Sequence, residues 1–334
     1  MKIALTGSTG HIASSLIPLL IQKGHRLRVL VYEQVPVFGH SNMEIVKGSI
    51  SNQASLNALV AGCEIVVHCA ARISINSNHD PLVYKTNVGG TMNIFNAAKN
   101  AGIKKFIHVS SIHAYQQLPS EEVLNEKREY CSNNAAQYDQ SKRDAEKFVL
   151  QHASSQMETV VLNPTAVVGP PDHKPSLMGQ AIMDLYNNKV PSLINGGFDF
   201  CDVRDIALGI MQAIEKGRNA HSYLLSGKWA HLADLHKMIM NIKGEKKSIP
   251  VLPGWTGYLG LPLIELIAKI KKQQPLYTKE SLDTLIQGNK KISSAKAAEE
   301  LGYSCRPLVE TITDSISWYK QAGMLVCWYN HKLH

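Results

Sequence analysis

The chain has 334 residues, 44% hydrophobic and 19% charged, which supports a large core and about two domains and excludes a globally disordered protein. The 35 Lys and Arg against 27 Asp and Glu leave a net charge of +8. The basic pairs, such as Lys104-Lys105 and Lys290-Lys291, are scattered without interleaved aromatics, so the bias suits an anionic small ligand and not a nucleic-acid platform.

Residues 2–7, KIALTG, read as a first strand. Gly7 to Gly10 interrupts the apolar opening, which argues against a secretion signal. The turn TGSTGHIA sets Gly7, Gly10 and Ala13 three apart ahead of a helix with Ile12, Leu16, Leu19 and Leu20 at helical spacing and Gly24 as its stop. Such a turn leaves bare backbone against a pyrophosphate and aims a helix N-terminus at its charge.

The second strand, RLRVLVY, ends at Tyr32 and Glu33. A carboxylate there suits the ribose diol of NAD and repels a 2′-phosphate, while Arg26 and Arg28 nearby point the other way. NAD is favoured over NADP. Strands at MEIVKGSI, EIVVHCAA, KKFIHVSS and TVVLNP alternate with helices at NQASLNALVAG, NVGGTMNIFNAAKNAG and YDQSKRDAEKFVLQ. This alternation predicts an α/β fold, a doubly wound parallel (Rossmann) sheet over residues 1–165. Residues 166–330 read as a smaller, mostly helical substrate domain, with segments near 200 and 225 candidates to return to the main sheet. Within it, VLPGWTGYLGLPLIELIAKIKK (251–272) is the most apolar stretch. Two prolines and Glu265 make it a poor membrane span, and it reads as a lid or core helix.

YDQSK places Tyr138 and Lys142 at i and i+4 of a helix, on one face. An ammonium beside a phenol lowers its pKa from about 10, which makes a proton donor usable near neutral pH. Among other titratable residues, His68 reads as a satisfied core group and His113 as packing. Asp202 and Asp205 read as a helix start with Asp205 near its cap, and Glu146, four residues past Lys142, either pairs with it or faces solvent, with solvent the default. The six cysteines (63, 69, 131, 201, 305, 327) lack C-x-x-C spacing, and no histidine sits at metal-ligand spacing, so reduced thiols and no metal are expected.

With TGSTGHIA, HVSSIHAY and YDQSK in this order, the chain resembles an extended short-chain dehydrogenase/reductase of the NAD-dependent epimerase/dehydratase group, in its dihydroflavonol reductase-like branch. The resemblance spans nearly the whole length. It implies Tyr138 as acid/base, Lys142 as the lysine that activates it and bonds the nicotinamide ribose, and Ser111 as the group that bonds the substrate oxygen. It assigns Gly7, Thr9, Gly10, His11 and Ile12 to the diphosphate, and Tyr32, Glu33, Ser49 and Ile50 to the adenosine half. Ala70, Ala71, Asn87 and Pro164 go to the nicotinamide side. Ser49 stands where many members carry an aspartate, and GGFDFCDV lacks the arginine of many sugar-nucleotide epimerases.

The resulting expectation is an NAD(P)-dependent oxidoreductase moving a hydride between nicotinamide and a carbonyl or alcohol carbon. The alternatives are a sugar epimerase or dehydratase and a non-catalytic dinucleotide sensor. A cytoplasmic protein with a small-molecule substrate, no membrane insertion and a homodimer through the 87–102 and 138–151 helices completes the expectation.

Overall fold

A computed structural model describes residues 1–33, 39–73, 80–271 and 278–325, with 263–271 by backbone only; Cys327 lies outside the described residues. The first half runs β1 (Lys2–Thr6), α1 (His11–Gln22), β2 (Arg26–Val31), β3 (Met43–Lys47), α2 (Gln53–Val60), β4 (Ile65–His68), α3 (Pro81–Tyr84) and α4 (Gly90–Asn100). A π-helical turn, Lys85–Gly89, joins the last two. β5 (Lys105–Val109), α5 (Gln137–Gln151) and β6 (Glu158–Pro164) follow. Beyond them come β7 (Ala166–Val168), α6 (Leu177–Tyr186), β8 (Leu193–Ile194), β9 (Gly197–Asp202), α7 (Val203–Lys216), β10 (His221–Leu225) and β11 (Lys228–His231). The chain continues through α8 (Leu232–Lys243), β12 (Val251–Leu252), α9 (Gly254–Lys271), α10 (Lys279–Gln287), α11 (Ala295–Leu301) and α12 (Leu308–Gln321).

Seven parallel strands form the main sheet in the order β10-β6-β5-β4-β1-β2-β3. The central strands IVVH and KFIHV are buried at every position, as a parallel sheet covered on both faces requires. α1 and α7 cover one face through Leu16, Ile17 and Leu20 against Ile206 and Ile210. α2, α4 and α5 cover the other through Leu56, Ile94, Phe95 and Val149. The strand order reverses between β1 and β4, so the crevice beyond their C-terminal ends is where such a sheet takes its ligand.

β10, near residue 225, lies at the edge of this sheet. β9, near residue 200, instead centres a three-stranded sheet with β7 and β11. That small sheet packs with α6, α8, α10 and α12 into a second core around Ile182, Phe200, Leu235 and Ile316. α9 meets α10, where the Tyr258 hydroxyl donates to Asp283 Oδ1 at 2.6 Å, yet Trp255 and Leu259 remain 64% and 73% exposed. Among the described residues no helix is long and apolar enough to cross a membrane.

Candidate active site

The glycine turn is dictated by close approach. Gly7 sits at φ +74°, and a Cβ there would meet Ala70 N at 2.6 Å and the Cys69 carbonyl carbon at 2.7 Å. Gly10 N-caps α1, and Ala13 is fully buried where the helix crosses the sheet. The bare backbone at the helix N-terminus fits a dinucleotide pyrophosphate. His11, expected to alter packing alone, does more. Its Nε2 donates to the Gly169 carbonyl at 2.7 Å and ties the turn to the loop after β7. Thr9 and Ile12 lie on the same turn.

Tyr32 and Glu33 follow the C-terminal end of β2, both exposed, Tyr32 at 73%. Arg28 does not compete for this site. Its guanidinium pairs with Glu44 at 2.7 Å and donates to the Ala58 carbonyl, while Arg26 sits at the opposite end of the strand. Ser49 exchanges a hydrogen bond with Ser51 at 2.9 Å. Ile50 covers Gly90, where a Cβ would come within 2.9 Å of it.

On the other half of the crevice a chain of hydrogen bonds crosses from sheet to helix. Thr6 Oγ1 lies 2.7 Å from His68 Nδ1, and His68 Nε2 lies 2.9 Å from Thr91 Oγ1, which donates to the Asn87 carbonyl. Burial pushes His68 down to about 3, so it is the neutral core group its strand position suggests. Asn87, expected on the nicotinamide side, is buried. Its amide accepts from Arg72 N at 2.7 Å and donates to the Arg72 carbonyl and to Ser141 Oγ at 2.9 Å. It thus clamps the segment after β4 to α5. Ala70 is half-buried and Ala71 exposed beside it, and Pro164 ends β6 buried.

Ser111, Tyr138 and Lys142 converge at the C-terminal ends of β4 and β5. Ser111 follows β5, where its hydroxyl accepts from His113 N at 3.2 Å, and it lies close enough to the Tyr138 phenol to hold that phenol lower than it would otherwise be. Lys142 is buried one turn along α5, and its Nζ donates to the Val109 carbonyl at 2.9 Å. The expected fall in the Tyr138 pKa does not occur. Burial outweighs the influence of the Ser111 hydroxyl and, with Asp139 adding to it, pushes the phenol up to about 12. Burial pushes Lys142 itself down to about 8, against the pull of the Glu146 carboxylate.

A family model, "NAD dependent epimerase/dehydratase family", matches residues 3–226. The chain belongs to this family. It is 24% identical over 97% of its length, and 100% of the relative's, to the sterol demethylase protein B of Methylococcus capsulatus. It is 26% identical to the sterol-4-alpha-carboxylate 3-dehydrogenase, decarboxylating, of Dictyostelium discoideum, over 91% and 96% of the two chains. The crystal structure of gox2253 superposes with a TM-score of 0.81 at 30% identity, covering 98% of this chain and 99% of that one. The chain is an NAD(P)-dependent oxidoreductase of the extended short-chain dehydrogenase/reductase type.

Two ionisable groups of this epimerase/dehydratase-family site were misread from the sequence. His113, taken as packing, sets Nδ1 3.1 Å from Asp139 Oδ1 and its ring edge-on to Tyr138, 5.9 Å between centroids. Glu146, taken as solvent-facing, is fully buried and receives four hydrogen bonds. Asp202, and not Asp205, caps α7 by accepting from Arg204 N. Asp205 pairs with Arg306 at 2.6 Å. Among the described residues no three His, Cys, Asp or Glu side chains group as metal ligands.

Proposed function

We propose that Ser111, Tyr138 and Lys142 carry out reversible reduction of a ketone on a bulky, largely apolar ring compound. The observation that carries the reading is the Ser111 hydroxyl beside the Tyr138 phenol, with Lys142 buried one turn along the same helix, at the strand ends beside the switch point. NAD(P), when bound, supplies the hydride. Gly7, Thr9, Gly10, His11 and Ile12 hold its pyrophosphate, Tyr32, Glu33, Ser49 and Ile50 its adenosine half, and Ala70, Ala71, Asn87 and Pro164 border the nicotinamide.

Ser111 Oγ donates to the substrate carbonyl oxygen and fixes it beside the Tyr138 hydroxyl. As that oxygen becomes an alkoxide, Tyr138 gives it the phenolic proton, and the Lys142 ammonium stabilises the phenolate left behind. In the oxidative direction the same phenolate takes the alcohol proton.

The ring-compound assignment draws on relatives named for sterol substrates and on the missing arginine before β9, which sugar-nucleotide epimerases use for phosphate. A homodimer through the α4 and α5 faces is part of the proposal and is read by light scattering. The decisive experiment supplies NADH or NADPH with a 3-ketosteroid, a dihydroflavonol and a nucleotide-linked 4-ketosugar, and follows net cofactor oxidation. Stoichiometric oxidation with a ring ketone, lost in Tyr138→Phe, supports the reading. Epimerisation of a sugar nucleotide without net oxidation overturns it.

A further inference from the structure

The carboxylate of Glu146 lies inside the protein, one helical turn beyond Lys142 and two beyond Tyr138. Its Oε1 accepts from Tyr115 Oη at 3.0 Å, Tyr130 Oη at 3.3 Å and Ser222 Oγ at 3.1 Å, and Oε2 accepts from Asn163 Nδ2 at 2.6 Å. All four neighbours donate, so the cage gives an ionised carboxylate four hydrogen bonds, whereas a protonated one would have to turn a hydroxyl round to accept its proton. Asn163 Nδ2 also donates to the Ser111 carbonyl at 3.1 Å. Tyr115 is in the loop that Ser111 begins, Asn163 is on β6 and Ser222 on β10. One buried charge thus ties the Ser111 loop and two strands to the helix that bears Tyr138 and Lys142.

We infer that Glu146 is a positioning residue that keeps Lys142 an ammonium and holds the Ser111 loop against α5, a role that rests on the catalytic reading of Ser111, Tyr138 and Lys142 above. The other titratable groups facing Lys142 are uncharged near neutrality. His68 on β4 is pushed down to about 3 and His108 on β5 well below its usual range, both by burial, while the Cys69 thiol is pushed up to about 12. Tyr138, on the same helix, stays a phenol. Around Glu146, Tyr115 and Tyr130 are likewise held neutral by burial beside the carboxylate. Glu146 therefore supplies the compensating charge, about 6 Å away along the helix axis. Burial raises its own pKa, and the bonds from Asn163, Tyr115 and Ser222 oppose that rise without cancelling it.

The test is NADH titration by fluorescence across the alkaline range, on wild type, Glu146→Gln and Glu146→Asp, with thermal melts of each. Removing the negative charge lets Lys142 lose its proton earlier, so the pH at which NADH affinity falls moves down by about one unit in Glu146→Gln. Glu146→Asp, which keeps the charge, leaves it in place. If Glu146→Gln melts lower but binds NADH with the wild-type pH profile, the residue is only structural and the inference fails.

Should Glu146→Gln not fold, Lys142→Met answers the same question through stability. It strands a buried carboxylate whose folded pKa is already raised, so its melting deficit against wild type grows as pH rises through the titration of that carboxylate. Parallel melting curves overturn the inference. If wild type binds no dinucleotide at any pH, the catalytic reading itself falls, and the Lys142→Met melts still decide whether the two charges are coupled.

Discussion

His113 Nδ1 lies 3.1 Å from Asp139 Oδ1, with the imidazole edge against the Tyr138 ring. Burial lowers the His113 pKa, but Asp139, by charge and by hydrogen bond, more than reverses this and leaves it raised. A base whose folded pKa exceeds its unfolded value binds its proton more tightly in the native state. Its stabilisation is complete below about 6.5 and is lost as pH rises through the folded value. Asp139→Asn should therefore cost about 1 kcal/mol near pH 6 and much less near pH 9, read from denaturant melts at the two pH values. An equal loss at both would mean that the pair acts by packing.

Tyr138→Phe removes the proton donor while keeping the ring against His113. It should lower kcat by about 100- to 10,000-fold with little change in melting temperature or NADH affinity. Lys142→Met should lower both turnover and cofactor affinity. Lys142 also makes a separate stability prediction. Its folded pKa of about 8 lies below the ordinary value near 10.4, so the native state holds fewer protons across that window. Wild-type stability should rise with pH from about 8 to about 10 relative to Lys142→Met. Flat difference curves from chemical denaturation would show that Lys142 is not desolvated as described.

What the sequence disclosed follows from how local each signal is. The Gly7–Gly10 turn and the Tyr138–Lys142 spacing are set by neighbouring residues, and strand and helix alternation revealed the sheet around them. Glu146 carries no such local mark. Its Tyr115, Asn163 and Ser222 partners lie 31, 17 and 76 residues away. On the helix alone it resembles any exposed carboxylate four residues past a lysine. The Tyr138 pKa was misjudged for a related reason: spacing reveals the charged neighbour but not the burial that outweighs it. β9 likewise reads as a strand in isolation, and nothing local says whether it pairs with β10 or with β7 and β11.

Gly7 offers a test of the cradle that needs no substrate. At φ +74° an L side chain is strained, and the added methyl would sit within 2.6 Å of Ala70 N, two residues past the end of β4. Gly7→Ala should destabilise the protein by about 1–3 kcal/mol and abolish measurable NADH binding, because turn and strand end must separate. Gly24, also at positive φ but with nothing within 4 Å of a built Cβ, is the control. Gly24→Ala should cost stability and leave NADH affinity intact. Equal losses of affinity in both variants would remove the turn from the cofactor site.

In the proposed site Glu33 is the residue placed to discriminate between the two dinucleotides. It is exposed just past the end of β2, where a ribose 2′-hydroxyl approaches a sheet of this topology. The arginine near this strand end that would favour a 2′-phosphate is engaged elsewhere, since Arg28 is held by Glu44 and the Ala58 carbonyl. Wild type should therefore bind NADH more tightly than NADPH. Glu33→Ala should weaken NADH by about tenfold or more, the worth of a hydrogen bond to a charged group, and strengthen NADPH by relieving repulsion. Calorimetric titration of both cofactors on both proteins reads this directly. Tighter NADPH binding by wild type, unchanged in Glu33→Ala, would make Glu33 a bystander and shift the discrimination to Tyr32 and the backbone around it.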